Sequence, residues 1–223
     1  MPGDKEISAV IKTLKRESRK FRQPAVTEIA ERDDDPYKVL VSCLLSLRTR
    51  DTITERIAPE LFAAADTPAK MAKLPLARIR KIIRPINYYK TKAKRIKEIS
   101  RVLVKKYGGK VPSDIDELLK LKGVGRKTAN IVVVYGFSKE GLPIDVHCHR
   151  VPNRLGWIKT KTPEQTEKAL RELLPKPYWH DFNDLFVQFG QNVCTPRNPK
   201  CGVCPVSRWC DYYHNIYLKQ RKS

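Results

Sequence analysis

The chain has 223 residues, 41% of them hydrophobic, so it can bury a core and is not disordered throughout. Its 45 Lys+Arg against 24 Asp+Glu leave a formal net charge of +21. Charge of that size argues about partners, and it points first to a polyanion, with nucleic acid ahead of a membrane surface or an acidic protein. The longest apolar runs, near residues 39–47 and 131–137, fall far short of the ~18 residues of a membrane span. The N-terminal Met-Pro-Gly-Asp-Lys-Glu has no apolar stretch behind its charges, so no secretory leader is expected. An intracellular protein with free thiols follows as the expectation.

In chain order, helix signals dominate. Asp35-Pro36 reads as an N-cap with proline at the first helical position. It opens a run over 37–47 that is apolar nearly all round, which predicts a buried helix. Asp51 is expected to cap a helix through Phe62, and Thr67-Pro68 to start another. Residues 70–110 hold fifteen Lys/Arg and one acid, Glu98, a net +14. Within them Ile79, Ile82, Ile83 and Ile86, then Ile96, Ile99 and Leu103, recur at helical spacing, which predicts two amphipathic helices with basic outer faces. Thr91 precedes the second of these, and Gly108-Gly109 stop it near Tyr107. A single lysine on such a face is merely solvated; this density signifies polyanion binding.

Ser113 with Asp116 resembles a capping box for a helix over 115–121. Thr162-Pro163-Glu164 predicts a helix to about Leu174, and Asp181 another to about Gln191. The one sustained β-branched run is 131–134, and helix-compatible residues precede it. With no alternating strand pattern, no internal repeat and no long linker, the fold class is all-α.

Between two of these helices stands Leu121-Lys122-Gly123-Val124-Gly125-Arg126-Lys127-Thr128-Ala129-Asn130. Glycines at 123 and 125 around Val124 permit a tight hairpin whose backbone approaches another molecule closely. Gly125 begins a helix, and its first N–H groups, with the positive end of the dipole, make a place for one backbone phosphate. Such a contact positions nucleic acid without reading its sequence. The alternative is a turn that only packs two helices.

Of the six cysteines, four lie close together as Cys194-x6-Cys201-x2-Cys204-x5-Cys210. In an intracellular chain they read as metal ligands before disulfides. One CxxC with unequal flanks departs from the paired knuckles of a zinc ribbon, while four thiolates suit an iron–sulfur cluster; spacing alone leaves both open. The loop after Cys194 is stiffened by prolines and presents Arg197 and Lys200. Cys43, in an apolar helical run, and Cys148, between two histidines, are expected in the core.

The stretch 121–130, the segment Ile144-Asp145-Val146-His147 after a Gly/Pro-containing turn, and the cysteine spacing together resemble the endonuclease III family of DNA glycosylases. The resemblance extends over about residues 36–211. It implies a two-domain helix-hairpin-helix glycosylase fold. A six-helix barrel would occupy about 28–140. Residues 1–27 together with 141–223 would form a helical domain around a [4Fe–4S] cluster on Cys194, Cys201, Cys204 and Cys210.

The implied activity is that of a bifunctional DNA glycosylase/AP lyase of base-excision repair acting on oxidised pyrimidines. Its partner would be duplex DNA containing a damaged base or an abasic site; a monomer with no membrane association is expected. Lys127 would attack C1′ of the deoxyribose, displace the base and form a Schiff base that permits β-elimination. Its place in the first helical turn, beside Arg126, disfavours an added positive charge. The carboxylate of Asp145 would stabilise charge developing on the sugar or help deprotonate the nucleophile, and it also suits an N-cap. Gly123, Val124, Gly125, Arg126 and Thr128 would hold DNA through the hairpin, with His147 in a supporting role and Arg197 and Lys200 on the cluster loop.

A glycosylase must extrude its target nucleotide and fill the gap. Two positions depart from the family pattern there. Arg48, in Leu45-Ser46-Leu47-Arg48-Thr49-Arg50-Asp51, stands where glutamine is usual, and Tyr88, in Asn87-Tyr88-Tyr89-Lys90, where an aliphatic wedge is frequent. These departures keep open a mismatch-directed thymine or uracil glycosylase; a non-catalytic DNA-binding protein is the rival from another class. A third departure, Pro152, is expected to bend or end a helix that starts at Asp145.

Overall fold

The computed structural model describes residues 2–220, and every regular element among them is helical. None of these helices is long and apolar enough to cross a membrane. The chain divides into two compact units: residues 24–141, and residues 2–23 with 142–220. The second unit takes the first helix, α1 (Asp4–Ser18).

The first unit runs through α2 (Ala25–Asp33), α3 (Pro36–Ser46), α4 (Asp51–Ala64), α5 (Pro68–Lys73), α6 (Leu76–Ile82), α7 (Tyr89–Tyr107), α8 (Ile115–Leu119) and α9 (Arg126–Phe137). Its core is built on α3, which buries Tyr37, Val39, Leu40, Val41, Cys43, Leu44 and Leu45, and on α9, which buries Ala129 and the whole run Ile131, Val132, Val133, Val134. The β-branched run therefore lies in a helix, where packing overrides its strand preference. Ile79, Ile83 and Ile86 add to this core from α6 and the turn after it, and Ile96, Ile99 and Leu103 from α7. A buried hydrogen bond of 2.7 Å between the Tyr37 and Ser100 hydroxyls ties α3 to α7.

The second unit adds α10 (Val146–Leu155), α11 (Pro163–Leu173) and α12 (Trp179–Asn192). Its core contains Ile7, Val10, Ile11 and Leu14 of α1 and an aromatic group in which Phe182 stacks on Phe186 at 4.1 Å and Trp157 tilts against it at 5.7 Å.

Several helix starts are set by the expected side chains. Asp35 accepts from the Tyr37 amide at 2.8 Å, and Thr67 and Thr162 accept from the amides of Lys70 and Gln165. Elsewhere the starts differ. α4 has no side-chain cap, and Asp51 is already its first residue, following Arg50. α7 begins at Tyr89, two residues before Thr91, because Tyr88 takes a left-handed conformation with φ 58° and turns the chain there. α8 is capped by Asp114, whose Oδ1 accepts from both the Asp116 and Glu117 amides, so Ser113 is not the cap. α12 starts at Trp179, leaving Asp181 in its first turn, where it pairs with Lys15 of α1. α10 passes through Pro152 and ends three residues later at Leu155. So near the C-terminus of a helix, proline forfeits one amide bond without ending the element.

Candidate nucleic-acid interface and metal-binding loop

In the first unit the hairpin closes through a 2.9 Å bond from the Val124 amide to the Leu121 carbonyl. Gly123 has φ +91°, which favours glycine, and a Cβ there would lie 2.8 Å from Arg95 Nε and oblige that side chain to shift. Gly125, extended, is the N-cap of α9, and a Cβ there would meet nothing within 4 Å. Gly123, Gly125 and Arg126 are exposed. Val124 and Thr128 are buried, and Val124 belongs to the core of this unit. Lys127 is the second residue of α9 and half-buried. It lies near enough to Cys43 of α3 to act on that thiol electrostatically, against the burial that pushes it up to about 12. Cys43 is a core residue, as expected.

The same unit brings Arg48 and Tyr88 to adjoining turns. Asn87 Nδ2, one residue before Tyr88, donates to the Arg48 carbonyl at 2.5 Å. Both Arg48 and Tyr88 are exposed, and both are non-glycine residues with positive φ, 54° and 58°. Beneath them is a side chain the sequence reading placed only on a basic outer face. Lys92, 8% exposed, points inward from α7, and its Nζ donates to the Leu45 carbonyl at 2.7 Å, the Leu47 carbonyl at 2.5 Å and Thr49 Oγ1 at 3.1 Å. Burial lowers its ammonium to about 8. A signal did exist: positions 92, 96, 99 and 103 form one helical stripe, shared by Lys92 with Ile96, Ile99 and Leu103. Much of the remaining basic excess is outward, and Arg80, Lys90, Lys94, Arg95 and Lys122 line a common cleft beside the hairpin.

In the second unit Asp145 is the N-cap of α10. Its Oδ1 accepts from the His147 and Cys148 amides, each at 2.8 Å. His147 packs against Gly190 of α12, and its Nδ1 meets Arg150 Nη2 at 2.9 Å. Cys148 is fully buried against Asn183, a core residue as expected. Arg150 also donates to the Gly190 carbonyl and, through Nε and Nη2, to the Cys194 carbonyl. One turn on, Arg154 reaches Cys194 Sγ and the Thr195 and Pro196 carbonyls. Neither arginine had been singled out from sequence; their i, i+4 spacing on the helix that Asp145 caps was the available signal.

Cys194, Cys201, Cys204 and Cys210 line one cavity with Arg154, Tyr212 and Tyr213. None is in a disulfide. Burial, and then their mutual charge, raises the thiols of Cys201, Cys204 and Cys210, Cys204 to about 12. Zinc would gather four thiolates about 2.3 Å from a single point. The four cysteines line one common space, and four thiolates are also the ligand set of an iron–sulfur cluster. Arg197 and Lys200 are exposed on the loop, which Thr195 closes by a 2.7 Å bond to the Asn198 carbonyl.

Comparison with known proteins extends this geometry. The family model for HhH-GPD superfamily base excision DNA repair proteins matches residues 41–176, and that for the iron-sulfur binding domain of endonuclease III matches residues 194–210. Endonuclease III of Thermotoga maritima is 50% identical over 182 residues, 82% of this chain and 85% of the relative. The solved structure of a trapped endonuclease III–DNA covalent intermediate matches with a TM-score of 0.83 at 29% identity, covering all of both chains. That of a thermostable thymine-DNA glycosylase matches with a TM-score of 0.75 at 28% identity, covering 93% of this chain and all of the other.

Proposed function

The chain belongs to the endonuclease III family, and from that premise we propose how its residues divide the reaction. It is a DNA glycosylase with AP lyase activity that binds damaged duplex DNA, removes oxidised pyrimidines and carries an iron–sulfur cluster. The observation that carries the assignment of roles is Lys127 in the first turn of α9, directly after a hairpin with open space over Gly125.

Lys127 is the nucleophile. The uncharged Nζ attacks C1′; the N-glycosidic bond breaks and its electron pair leaves with the base, which takes up a proton. Opening of the sugar ring leaves an iminium at C1′. Loss of a proton from C2′ then expels the 3′ phosphate, and water releases Lys127. Asp145 supports this by holding a carboxylate for the positive charge that develops on the sugar, or for the proton that Nζ gives up. The backbone of Gly123 and Gly125 and the first amides of α9 through Thr128, with Arg126, hold a phosphate, while Val124 shapes the turn with its amide given to Leu121. Arg48 and Tyr88 fill the gap left by the extruded nucleotide, Tyr88 by stacking. His147 supports the start of α10, and Arg197 and Lys200 hold a second stretch of backbone.

The four cysteines fit a [4Fe–4S] cluster, which supplies iron–thiolate bonds that fix the loop 194–210. We assign the unit containing them as the cluster domain and residues 24–141 as the barrel domain of the family. An intracellular, nucleoid-associated monomer is the corresponding expectation for the whole protein.

Incubation with a thymine-glycol duplex under borohydride tests the assignment. A covalent complex should form, and Lys127→Gln should abolish it; equal trapping by Lys127→Gln overturns it. The exposed Arg48 and Tyr88, departing from the family pattern, favour a second reading as a mismatch-directed glycosylase. Excision from G·T or G·U pairs faster than from thymine glycol would establish that reading.

A further inference from the structure

We propose that Lys92 is a positioning residue for base extrusion: from beneath, it fixes the turn 47–50 so that Arg48 projects into the DNA stack. This rests on the reading that Arg48 and Tyr88 contact DNA.

Three observations support it. First, the ammonium is anchored to the segment that carries Arg48. Its acceptors are the Leu45 and Leu47 carbonyls, at the end of α3, and Thr49 Oγ1, on either side of Arg48. A helix C-terminus leaves carbonyls without intrahelical partners and carries the negative end of the dipole, so a cation there is doubly suited. Second, the turn is strained. A non-glycine residue in the left-handed region is strained and persists only when its surroundings impose it. Arg48 and Tyr88 are both of this kind, and Asn87 joins one to the other. With Asn87 exposed, the buried end of this linkage is Lys92.

Third, the arrangement is an expensive way to pack. Lys92 is desolvated, and its hydrogen-bond acceptors are two carbonyls and a hydroxyl. An apolar side chain of similar length fills the same space without that penalty. What the ammonium adds is a unique position for the turn. Arg48 and Tyr88, on adjoining turns with a shared anchor, then move into the duplex as one body.

The test uses the holoenzyme in single-turnover excision from a thymine-glycol duplex with 2-aminopurine beside the lesion. Arg48→Ala, Lys92→Met and the double variant are compared. Lys92→Met should slow excision roughly tenfold to a hundredfold, the scale of a displaced positioning group. It should also diminish the 2-aminopurine signal of unstacking. Cleavage of an abasic site in an unpaired bubble, where nothing has to be unstacked, should keep its wild-type rate. In the Arg48→Ala background Lys92→Met should add nothing. The inference falls if the two effects multiply, or if bubble cleavage slows as much as excision. If Arg48→Ala alone leaves excision unchanged, the reading of Arg48 fails first and takes this inference with it. Should Lys92→Met not fold, Thr49→Val and Asn87→Ala each remove one tie; wild-type excision by both would equally refute the proposal.

Discussion

Arg154 Nη1 stands 3.4 Å from Cys194 Sγ and 2.8 Å from the Thr195 carbonyl, so one side chain of α10 holds both the first cysteine of the metal loop and the turn after it. Its guanidinium also lies 4.7 Å over the Tyr212 ring. Hydrogen bonds to ligating sulfurs orient the ligand and tune the metal, and their removal weakens metal retention by about 10–100-fold. Arg154→Met keeps the packed stem and loses the donors. The cluster's visible absorbance should therefore bleach faster under a chelator, and DNA affinity should fall more than with Arg197→Ala alone, because the whole loop is loosened. Bleaching at the wild-type rate would show that Arg154 only packs.

Asp145 caps α10, and the catalytic task proposed for it can be separated from the cap by substitution. Its Oδ1 accepts two amides at the start of α10. Asparagine is an equally good N-cap, whereas alanine costs about 1 kcal/mol. Asp145→Asn should thus unfold at the same denaturant concentration as wild type while excision falls by about 10²–10⁴. Asp145→Ala should lose that activity and also about 1 kcal/mol of stability. Wild-type excision by Asp145→Asn would reduce Asp145 to a cap.

The all-helical class, the hairpin and the metal loop were legible because each depends on local signals: caps at Asp35, Thr67 and Thr162, a Gly-Val-Gly turn, and cysteine spacing. The contribution of Lys92 was legible only as a position on a stripe. Counting charge treats every lysine of residues 70–110 alike, and its inward direction depends on the carbonyls that α3 leaves at its end. Arg150 and Arg154 were missed for the same reason, since their partners lie some forty residues away, at Cys194 and Thr195. The start of α8 at Ile115 was legible but its cap was not, because Asp114 outcompetes Ser113 as an acceptor of two amides.

The two hairpin glycines should respond differently to alanine. At Gly123 the left-handed φ makes a methyl group strained even after the Arg95 side chain has moved aside. Gly123→Ala should destabilise the fold by about 1–3 kcal/mol and weaken DNA binding with it. At Gly125 φ is −94° and nothing lies within 4 Å of the added methyl. Gly125→Ala should cost under about 1 kcal/mol as a poorer N-cap, yet still weaken DNA binding, because the methyl occupies the space a phosphate needs. Calorimetry beside fluorescence titration separates the two. Equal affinity of Gly125→Ala and wild type for an abasic-site duplex would remove the hairpin from the DNA contact.

Lys92 should also leave a mark on stability as pH rises. Burial holds its folded ammonium at about 8, below the ordinary 10.5 of a free lysine. Below pH 8 the folded and unfolded chains are both protonated there, and the fold bears the full cost of desolvating the charge. Between about 8 and 10.5 the unfolded chain binds more protons at this site than the folded one, so the site's contribution to stability rises with pH and levels off above 10.5. Other lysines and tyrosines titrate in that window, and comparison with Lys92→Met cancels them. The stability of wild type relative to Lys92→Met should increase across the window by on the order of a few kcal/mol at most. Denaturant unfolding at pH 7.5, 9 and 10.5 measures it. A difference that stays constant, or that falls with pH, would show that the three acceptors hold the proton on Lys92 more firmly than its burial expels it.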